Sequence, residues 1–193
     1  MRKVVFATNN ANKLREVQQM IDGVELVTLA QCGITEDIPE TASTIEGNSS
    51  LKSHYVYDRL SVDCFADDTG LEVDALGGAP GVHSARYAGK AKCNEDNIAL
   101  LLANLEGQSN RRARFRTVIS LIWNGCEHLF EGVVDGVITE SRHGDGGFGY
   151  DPVFMPEGYD VTFAQMDAKT KNAISHRGRA VEKLVAFLRQ QIG

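Results

Sequence analysis

The chain has 193 residues, of which 42% are hydrophobic and 24% are charged, and its formal net charge at pH 7 is −6. This length can bury a full core, so we predict one soluble α/β domain over residues 1–193. The acidic charge argues against nucleic acid as a partner, because phosphate backbones are normally met by a basic surface. The longest apolar run, residues 118–123, is far below the roughly 20 residues of a membrane span, so we expect no membrane role.

The cysteines predict a reducing compartment. They lie far apart without a C-x-x-C pair, and no signal-peptide pattern precedes the first apolar run at Val4. We therefore expect free thiols and a cytoplasmic location. The cysteines are Cys32, Cys64, Cys93 and Cys126.

The first predicted elements are a strand over residues 4–7 and a helix in which Leu14, Val17 and Ile21 recur at helical spacing. Backbone N–H groups at a helix start attract anions, and Lys13 adds a positive charge there. The loop could therefore bind a phosphate, although an ordinary Asn-rich helix entry explains it equally well. The loop residues are Thr8, Asn9, Asn10, Ala11, Asn12 and Lys13.

Two further helices are predicted from their caps. Ser43 and Glu46 have the spacing of a capping box, which predicts a helix that runs to about Leu60. Asn94 is the predicted cap of a helix that continues through Leu105.

An acidic pair follows the next strand. Residues 62–66 read as a short strand that ends at Asp67 and Asp68, and Thr69 and Gly70 come directly behind them. Strands of α/β proteins present functional groups where they end, so the pair suggests a site for a divalent cation and phosphate. Taken alone, the same residues also suit a polar turn.

The second half of the chain begins with a predicted hairpin. Residues 113–123 and 127–138 are rich in apolar and β-branched residues, and Asn124-Gly125 is a strong turn signal. An antiparallel pair should therefore join the sheet. A long final helix is predicted to bury one apolar face, which consists of Ile174, Val181, Leu184, Val185, Leu188 and Ile192.

Residues 144–149 match the G-x-G-x-x-G pattern of dinucleotide-binding proteins. That fingerprint requires a helix directly afterwards, and Pro152 discourages one here. A glycine loop that presents Phe148, Tyr150 and Asp151 to a nucleobase fits better, since aromatic faces stack on bases and a carboxylate accepts from base N–H groups. Core packing remains the alternative for each aromatic residue.

Residues 171–177 place Lys171, His176 and Arg177 near the start of the predicted last helix. A solvated charged helix face explains such a run equally well in isolation. Lys13 and Lys52 lie beside other candidate segments of this acidic chain, however, as a polyphosphate site would require.

Six segments in the same order resemble the inosine triphosphate pyrophosphatase family, the non-canonical purine nucleoside triphosphate diphosphatases. The segments are residues 8–16, 66–71, 75–81, 84–89, 148–152 and 171–177. The resemblance spans the chain and implies an elongated, two-lobed α/β domain. It also implies a central mixed β-sheet flanked by helices and an active site in the inter-lobe cleft. It further implies a homodimer and Mg²⁺-dependent hydrolysis of ITP, dITP or XTP to the monophosphate and pyrophosphate.

The resemblance also implies roles for single residues. Asp68 would be the general base, and Glu40 and Asp68 would hold Mg²⁺, with Asp67 as a possible additional ligand. Because neighbouring strand side chains point to opposite faces, Asp67 and Asp68 share a site only if the strand has already ended. The implied substrate contacts are Thr8, Asn9, Asn10, Ala11, Asn12, Lys13, Lys52, Thr69 and Lys171 for the phosphates, and Phe148, Gly149, Tyr150, Asp151, His176 and Arg177 for the base.

The chain departs from the family pattern at Gly47, where relatives usually carry an acid. Glu46 is one residue away and would face about 100° around a helix, which leaves the exact metal ligation open.

Two other functions remain in view. One is a pyrophosphatase for canonical or modified pyrimidine nucleotides, and the other is a regulatory module that binds a triphosphate without hydrolysing it.

Overall fold

The computed structural model describes residues 1–192 and shows an α/β fold. In chain order, the strands and helices are β1 (Arg2–Phe6), α1 (Ala11–Met20), β2 (Val24–Thr28), α2 (Ile45–Leu60), β3 (Cys64–Val73), β4 (Pro80–Gly81), α3 (Asn94–Asn104), β5 (Arg112–Trp123), β6 (Cys126–Ile138), β7 (Phe154–Pro156), α4 (Ala168–Ile174) and α5 (His176–Ile192). None of the helices within residues 1–192 combines the length and the apolar composition that a membrane crossing requires.

The sheet is mixed, as predicted. Its strand order is β2-β1-β3-β5-β6-β7, and β4 pairs with β3 outside this path. Strand β1 runs parallel to both β2 and β3, whereas the β3–β4 and β6–β7 pairs are antiparallel. The predicted hairpin is confirmed, because β5 and β6 are hydrogen-bonded neighbours joined at Asn124-Gly125, both of which have positive φ.

The chain divides into two compact units, and each unit is discontinuous in sequence. Unit 1 contains residues 1–68, 117–132 and 177–192, and unit 2 contains residues 69–116 and 133–176. Strands β3, β5 and β6 therefore contribute residues to both units.

The core of unit 1 follows the two-residue alternation of its strands. Phe6 and Phe65 point to the face covered by α1 and α5, and their stacked rings are 4.5 Å apart. Cys64 and Ala66 point to the opposite face, where Val56 of α2 packs. Burial on both faces explains why these strands read as continuous apolar runs.

The core of unit 2 is built around aromatic rings. Phe154 packs between Phe115 and Phe163, at centroid distances of 4.6 and 5.3 Å. Helix α3 covers this cluster with Ile98 and Leu101.

Several predicted boundaries were wrong. The cap of α2 is Thr44, whose side chain accepts from Gly47 N, so the predicted Ser43 box is displaced by one residue. Cys93 is the cap residue of α3, and Asn94 is its first helical residue. The predicted single C-terminal helix is interrupted at Ser175, which has extended backbone.

The apolar face predicted for that helix is correct only in its middle. Val181, Leu184, Val185 and Leu188 are buried in the core of unit 1. Ile192 is largely exposed at 46%, and Ile174 belongs to α4 and packs in unit 2 instead.

Candidate active site

Asp67 and Asp68 lie inside β3, not at its end. The strand continues to Val73, so the predicted strand end at Ala66 is wrong. Successive side chains alternate between faces, which places Asp67 with Phe65 on the α1 and α5 side and Asp68 with Ala66 on the α2 side. Cations on each face explain how two acidic residues remain in a buried strand.

Asp67 is held by two cations. Its Oδ1 accepts from Lys13 Nζ at 3.1 Å, and its Oδ2 accepts from Arg177 Nε at 3.1 Å. Arg177, only 2% exposed, also donates to Glu16. Burial alone would raise the pKa of Asp67, but Lys13 and Arg177 hold it well below its usual value, so the carboxylate stays ionised.

Asp68 has different surroundings. Lys52 Nζ donates to Asp68 Oδ1 at 3.3 Å and to Glu40 Oε1 at 2.9 Å, so one ammonium group joins the two carboxylates. Burial would lower the pKa of Lys52, but these acids raise it, which keeps the lysine charged. Burial raises the pKa of Asp68 despite the opposing effect of Lys52. The second oxygen, Asp68 Oδ2, is buried and has no hydrogen-bond partner among residues 1–192.

The Glu40–Asp68 pair fits a magnesium ion. Mg²⁺ prefers oxygen ligands and is usually bound through one or two carboxylates together with substrate phosphates and water. Asp68 Oδ2 offers a buried acceptor of this kind, whereas both oxygens of Asp67 already accept from cations. Within residues 1–192, no group of three or more His, Cys, Asp or Glu side chains could hold a metal ion by itself. An ion here would complete its coordination with water and, when substrate is bound, with phosphate oxygens.

The loop between β1 and α1 is an ordinary helix entry in its hydrogen bonding. Asn10 Oδ1 accepts from Asn12 N at 3.0 Å and Lys13 N at 3.2 Å, and Thr8 Oγ1 accepts from Asn10 N at 3.1 Å. The cap therefore uses the amide groups that were predicted to meet a phosphate. The side chain of Lys13 remains beside Asp67.

In unit 2, Asp151 organises the glycine loop. Its Oδ2 accepts from Phe148 N at 2.9 Å and from Lys171 Nζ at 2.7 Å, and a side chain at Gly147 would overlap its carboxylate. Lys171 Nζ also lies 4.9 Å from the centre of the Phe148 ring. Among the described residues only a single 3₁₀ turn, Asp151–Val153, and no α-helix directly follows the loop, which confirms that the G-x-G-x-x-G match is not a dinucleotide-binding fingerprint.

Two residues predicted to contact the base are core residues of unit 2. Tyr150 is buried, its hydroxyl donates to Ser84 O at 2.7 Å, and burial raises its pKa. His176 stacks on Phe115 at a centroid distance of 4.5 Å. Phe148 and Gly149 are half-buried and keep part of their surface accessible.

The residues between 171 and 177 are not a solvated helix face. Lys171, His176 and Arg177 are all buried, and the break at Ser175 separates Lys171 on α4 from the other two on α5. Lys171 and His176 belong to unit 2, whereas Arg177 belongs to unit 1.

Comparison with known proteins identifies the family of the chain. A model of the Ham1 family matches residues 4–187. The chain belongs to the Ham1 family. A dITP/XTP pyrophosphatase of Porphyromonas gingivalis is 53% identical over 97% of this chain and 98% of its own length, and one of Flavobacterium johnsoniae is 52% identical over 96% and 97%. The solved structure of the Staphylococcus aureus Ham1 protein has a TM-score of 0.91 and 39% identity, and the match covers 98% of this chain and 100% of that chain.

Membership of the Ham1 family confirms the resemblance and the mixed α/β fold predicted from sequence.

Two polar contributors to the site were missed. Glu16 pairs with Arg177, and its position three residues after Lys13 on a helix was the available signal. Asn48 lies four residues before Lys52 on α2 and is completely buried, which the sequence did not reveal.

Proposed function

We propose that this Ham1-family chain hydrolyses the non-canonical purine nucleoside triphosphates ITP, dITP and XTP to the monophosphate and pyrophosphate. The proposal rests mainly on one observation: Lys52 donates to both Glu40 and Asp68, and one buried oxygen of Asp68 has no hydrogen-bond partner among residues 1–192. The relatives named dITP/XTP pyrophosphatase support dITP and XTP as substrates.

The proposed reaction is attack of water on the α-phosphorus. Asp68 is the proposed general base, which orients the water and accepts its proton. The new P–O bond forms as the bond from the α-phosphorus to the bridging oxygen breaks, and pyrophosphate leaves with that oxygen. Mg²⁺ bound by Glu40 and Asp68 would stabilise the charge on the departing group.

Phosphate binding is proposed for the cations of unit 1 that border the acids. Lys13 and Lys52 carry the positive charge, and the polar residues of the first loop add donors at the start of α1. Arg177 is buried between Asp67 and Glu16, so we assign it to positioning Asp67 and Lys13 instead of contacting the base. Thr69 and Lys171 remain proposed contacts, although Lys171 also anchors Asp151.

Base selection is proposed for the glycine loop of unit 2, where Phe148 offers an aromatic face and Asp151 holds the loop in place. A hydrogen-bond donor of the pocket that pairs with a 6-oxo group has no acceptor when adenine is bound. Such an unpaired donor can lower kcat/KM for the adenine nucleotide by about 10³-fold or more. GTP shares the 6-oxo group, so its rejection requires crowding near the 2-amino position.

The proposal also includes Mg²⁺ dependence, a homodimer and a cytoplasmic location.

A product analysis tests the proposal. Purified protein is incubated with Mg²⁺ and, separately, with ITP, dITP, XTP, GTP, ATP and dUTP, and the nucleotide products and pyrophosphate are quantified. We expect monophosphate and pyrophosphate, formed fastest from ITP, dITP or XTP. Preferential hydrolysis of dUTP would favour the pyrimidine alternative, and formation of diphosphate and orthophosphate would exclude attack at the α-phosphorus. Tight binding without turnover would favour a regulatory module.

A further inference from the structure

One face of α2 holds the acidic loop that carries Glu40. Asn48, Lys52 and Tyr55 recur at the spacing of a single helical face. In the same order they bind Ala42, Glu40 and Glu36: Asn48 Oδ1 accepts from Ala42 N at 2.9 Å, Lys52 Nζ donates to Glu40 at 2.9 Å, and Tyr55 donates to Glu36 at 2.6 Å. The loop thus runs antiparallel to the helix and is fastened at successive turns.

Asn48 is the fully buried member of this set. Its Nδ2 is buried without a hydrogen-bond partner among residues 1–192, which destabilises the folded state. The hydrogen bond of Oδ1 offsets this loss, because it satisfies the backbone N–H of Ala42, two residues after Glu40. An apolar residue of the same size would fill the space but release the loop.

Gly47 lets the loop approach α2. A Cβ atom placed on Gly47 would lie 2.7 Å from Ala42 Cβ and 2.9 Å from Thr44 Oγ1, so any side chain there would push the loop away. This contact accounts for the glycine at position 47 of this chain.

We propose that Asn48 and Gly47 are positioning residues that hold Glu40 beside Asp68 and thereby set the affinity of the divalent-cation site. The inference rests on the proposed function in that it concerns the same metal site. Partners that orient metal ligands typically change metal affinity by about 10- to 100-fold when they are mutated.

The test measures Mn²⁺ binding to the nucleotide-free protein by the electron paramagnetic resonance of free Mn²⁺. Wild type should bind Mn²⁺, and Glu40→Gln should lose that binding. Asn48→Leu and Gly47→Ala should each weaken binding by about tenfold or more. Adding Ala42→Gly to Gly47→Ala removes the methyl group that the new Cβ would meet, although the contact with Thr44 Oγ1 remains, so this double variant should regain part of the affinity.

Asn97→Leu is the matched control. Asn97 is also a buried helical asparagine bound to a loop, through Ala88 N at 2.7 Å and Ala85 O at 2.9 Å. It should lower Tm as Asn48→Leu does but leave Mn²⁺ affinity unchanged. If Asn48→Leu misfolds, the Gly47→Ala and Ala42→Gly pair still decides the question.

The inference is overturned by wild-type Mn²⁺ affinity in folded Asn48→Leu and Gly47→Ala, by equal weakening in Asn97→Leu, or by the absence of Glu40-dependent Mn²⁺ binding. A separate assay of pyrophosphate release identifies failure of the proposed function. Glu40-dependent Mn²⁺ binding without pyrophosphate release from any nucleotide would reject the proposed reaction and leave the positioning roles intact.

Discussion

At the scale of single residues, Asp67 and Asp68 show how strand geometry separates two adjacent carboxylates. Both are buried, yet the pKa of Asp67 is lowered by Lys13 and Arg177, whereas burial raises the pKa of Asp68. Asp67 therefore acts as a permanently charged anchor. Asp68 keeps one buried oxygen without a hydrogen-bond partner among residues 1–192, and this oxygen is available for its proposed roles.

Asp68→Asn should remove the proposed base and leave the shape of the site intact. We expect kcat for ITP to fall by about 10²- to 10⁴-fold, because that is the usual contribution of a general base, while binding of nucleotide persists. Pyrophosphate release measures kcat, and equilibrium binding of ITP to the variant measures affinity. Glu72→Gln, on the same strand and paired with Arg114, is the control and should retain activity. Comparable losses in both variants would contradict a catalytic role for Asp68.

Asp67 should make the folded state sensitive to acid. Its pKa in the folded state lies below the unfolded value, so its stabilisation is present above about pH 4 and is lost as the pH falls toward the folded pKa. Asp67→Asn leaves half-buried Lys13 and buried Arg177 without this carboxylate, which should lower the unfolding free energy at pH 7 by about 3–5 kcal/mol.

Urea denaturation at pH 7 and pH 3 measures this effect. The difference between wild type and Asp67→Asn should shrink at pH 3. Asp22→Asn disrupts an exposed pair with Arg189 and should change stability by no more than about 1 kcal/mol at either pH. A pH-independent effect of Asp67→Asn would show that its ionisation contributes nothing to stability.

At the scale of elements, local signals predicted the structure where neighbouring residues determine it. Asn124-Gly125 predicted the β5–β6 turn because both residues adopt positive φ readily. The continuation of β3 through Asp67 and Asp68 could not be predicted in this way, since the neutralising Lys13, Lys52 and Arg177 are distant in sequence. The break at Ser175 was hidden because residues on both sides of it are apolar at helical spacing.

The same distinction explains which part of the site was predicted. The motifs identified Glu40, Asp68 and Lys52, which the structure brings together. They left open whether Tyr150 packs in a core and whether Asn10 caps its own helix, because a motif does not specify where its side chains point.

Strand position should govern thiol reactivity. Cys64 begins β3, is fully buried, and burial raises the pKa of its thiol to about 12. Cys126 begins β6 and is exposed. With Ellman's reagent at pH 8, Cys126 should react in the native protein and Cys64 only after denaturation, since the thiolate is the reactive form. Cys126→Ser should abolish the fastest phase, and rapid native labelling of Cys64 identified by mass spectrometry would contradict the burial of β3.

The glycine loop should tolerate a side chain poorly at Gly147. Gly147 has a φ of 68°, and a Cβ there would meet the Asp151 carboxylate, whereas Gly107 has a φ of 74° and open space around it. Both changes to alanine incur backbone strain of about 1–2 kcal/mol. Gly147→Ala should lower the free energy of unfolding by at least about 1 kcal/mol more than Gly107→Ala does, because it also disturbs the hydrogen bonds of Asp151. Thermal unfolding measures the difference, and equal losses would argue against Asp151 as the anchor of the loop.

At the scale of the whole molecule, electrostatics opposes the binding of a free polyphosphate. The formal net charge of the chain is −6. The cations of the site are Lys13, Lys52 and Arg177, and the carboxylates that pair with them, Glu16, Glu40, Asp67 and Asp68, outnumber them by one. The site therefore differs from a basic anion-binding patch. A divalent cation that accompanies the phosphates would reverse this balance.

Pyrophosphate, the proposed product, can test this electrostatic requirement without turnover. Isothermal titration calorimetry of wild type with pyrophosphate should show affinity at least about tenfold higher with Mg²⁺ than with EDTA, a difference of about 1.4 kcal/mol. Glu40→Gln should lose part of this Mg²⁺ effect, because it removes a proposed ligand and leaves Lys52 in place. Asp22→Asn lowers the net negative charge equally at an exposed ion pair and serves as the control. If Asp22→Asn reduced the Mg²⁺ effect as much as Glu40→Gln does, the requirement would arise from net charge. If EDTA had no effect on wild type, the lysines alone would suffice to bind the phosphates and the metal would be unnecessary for product binding.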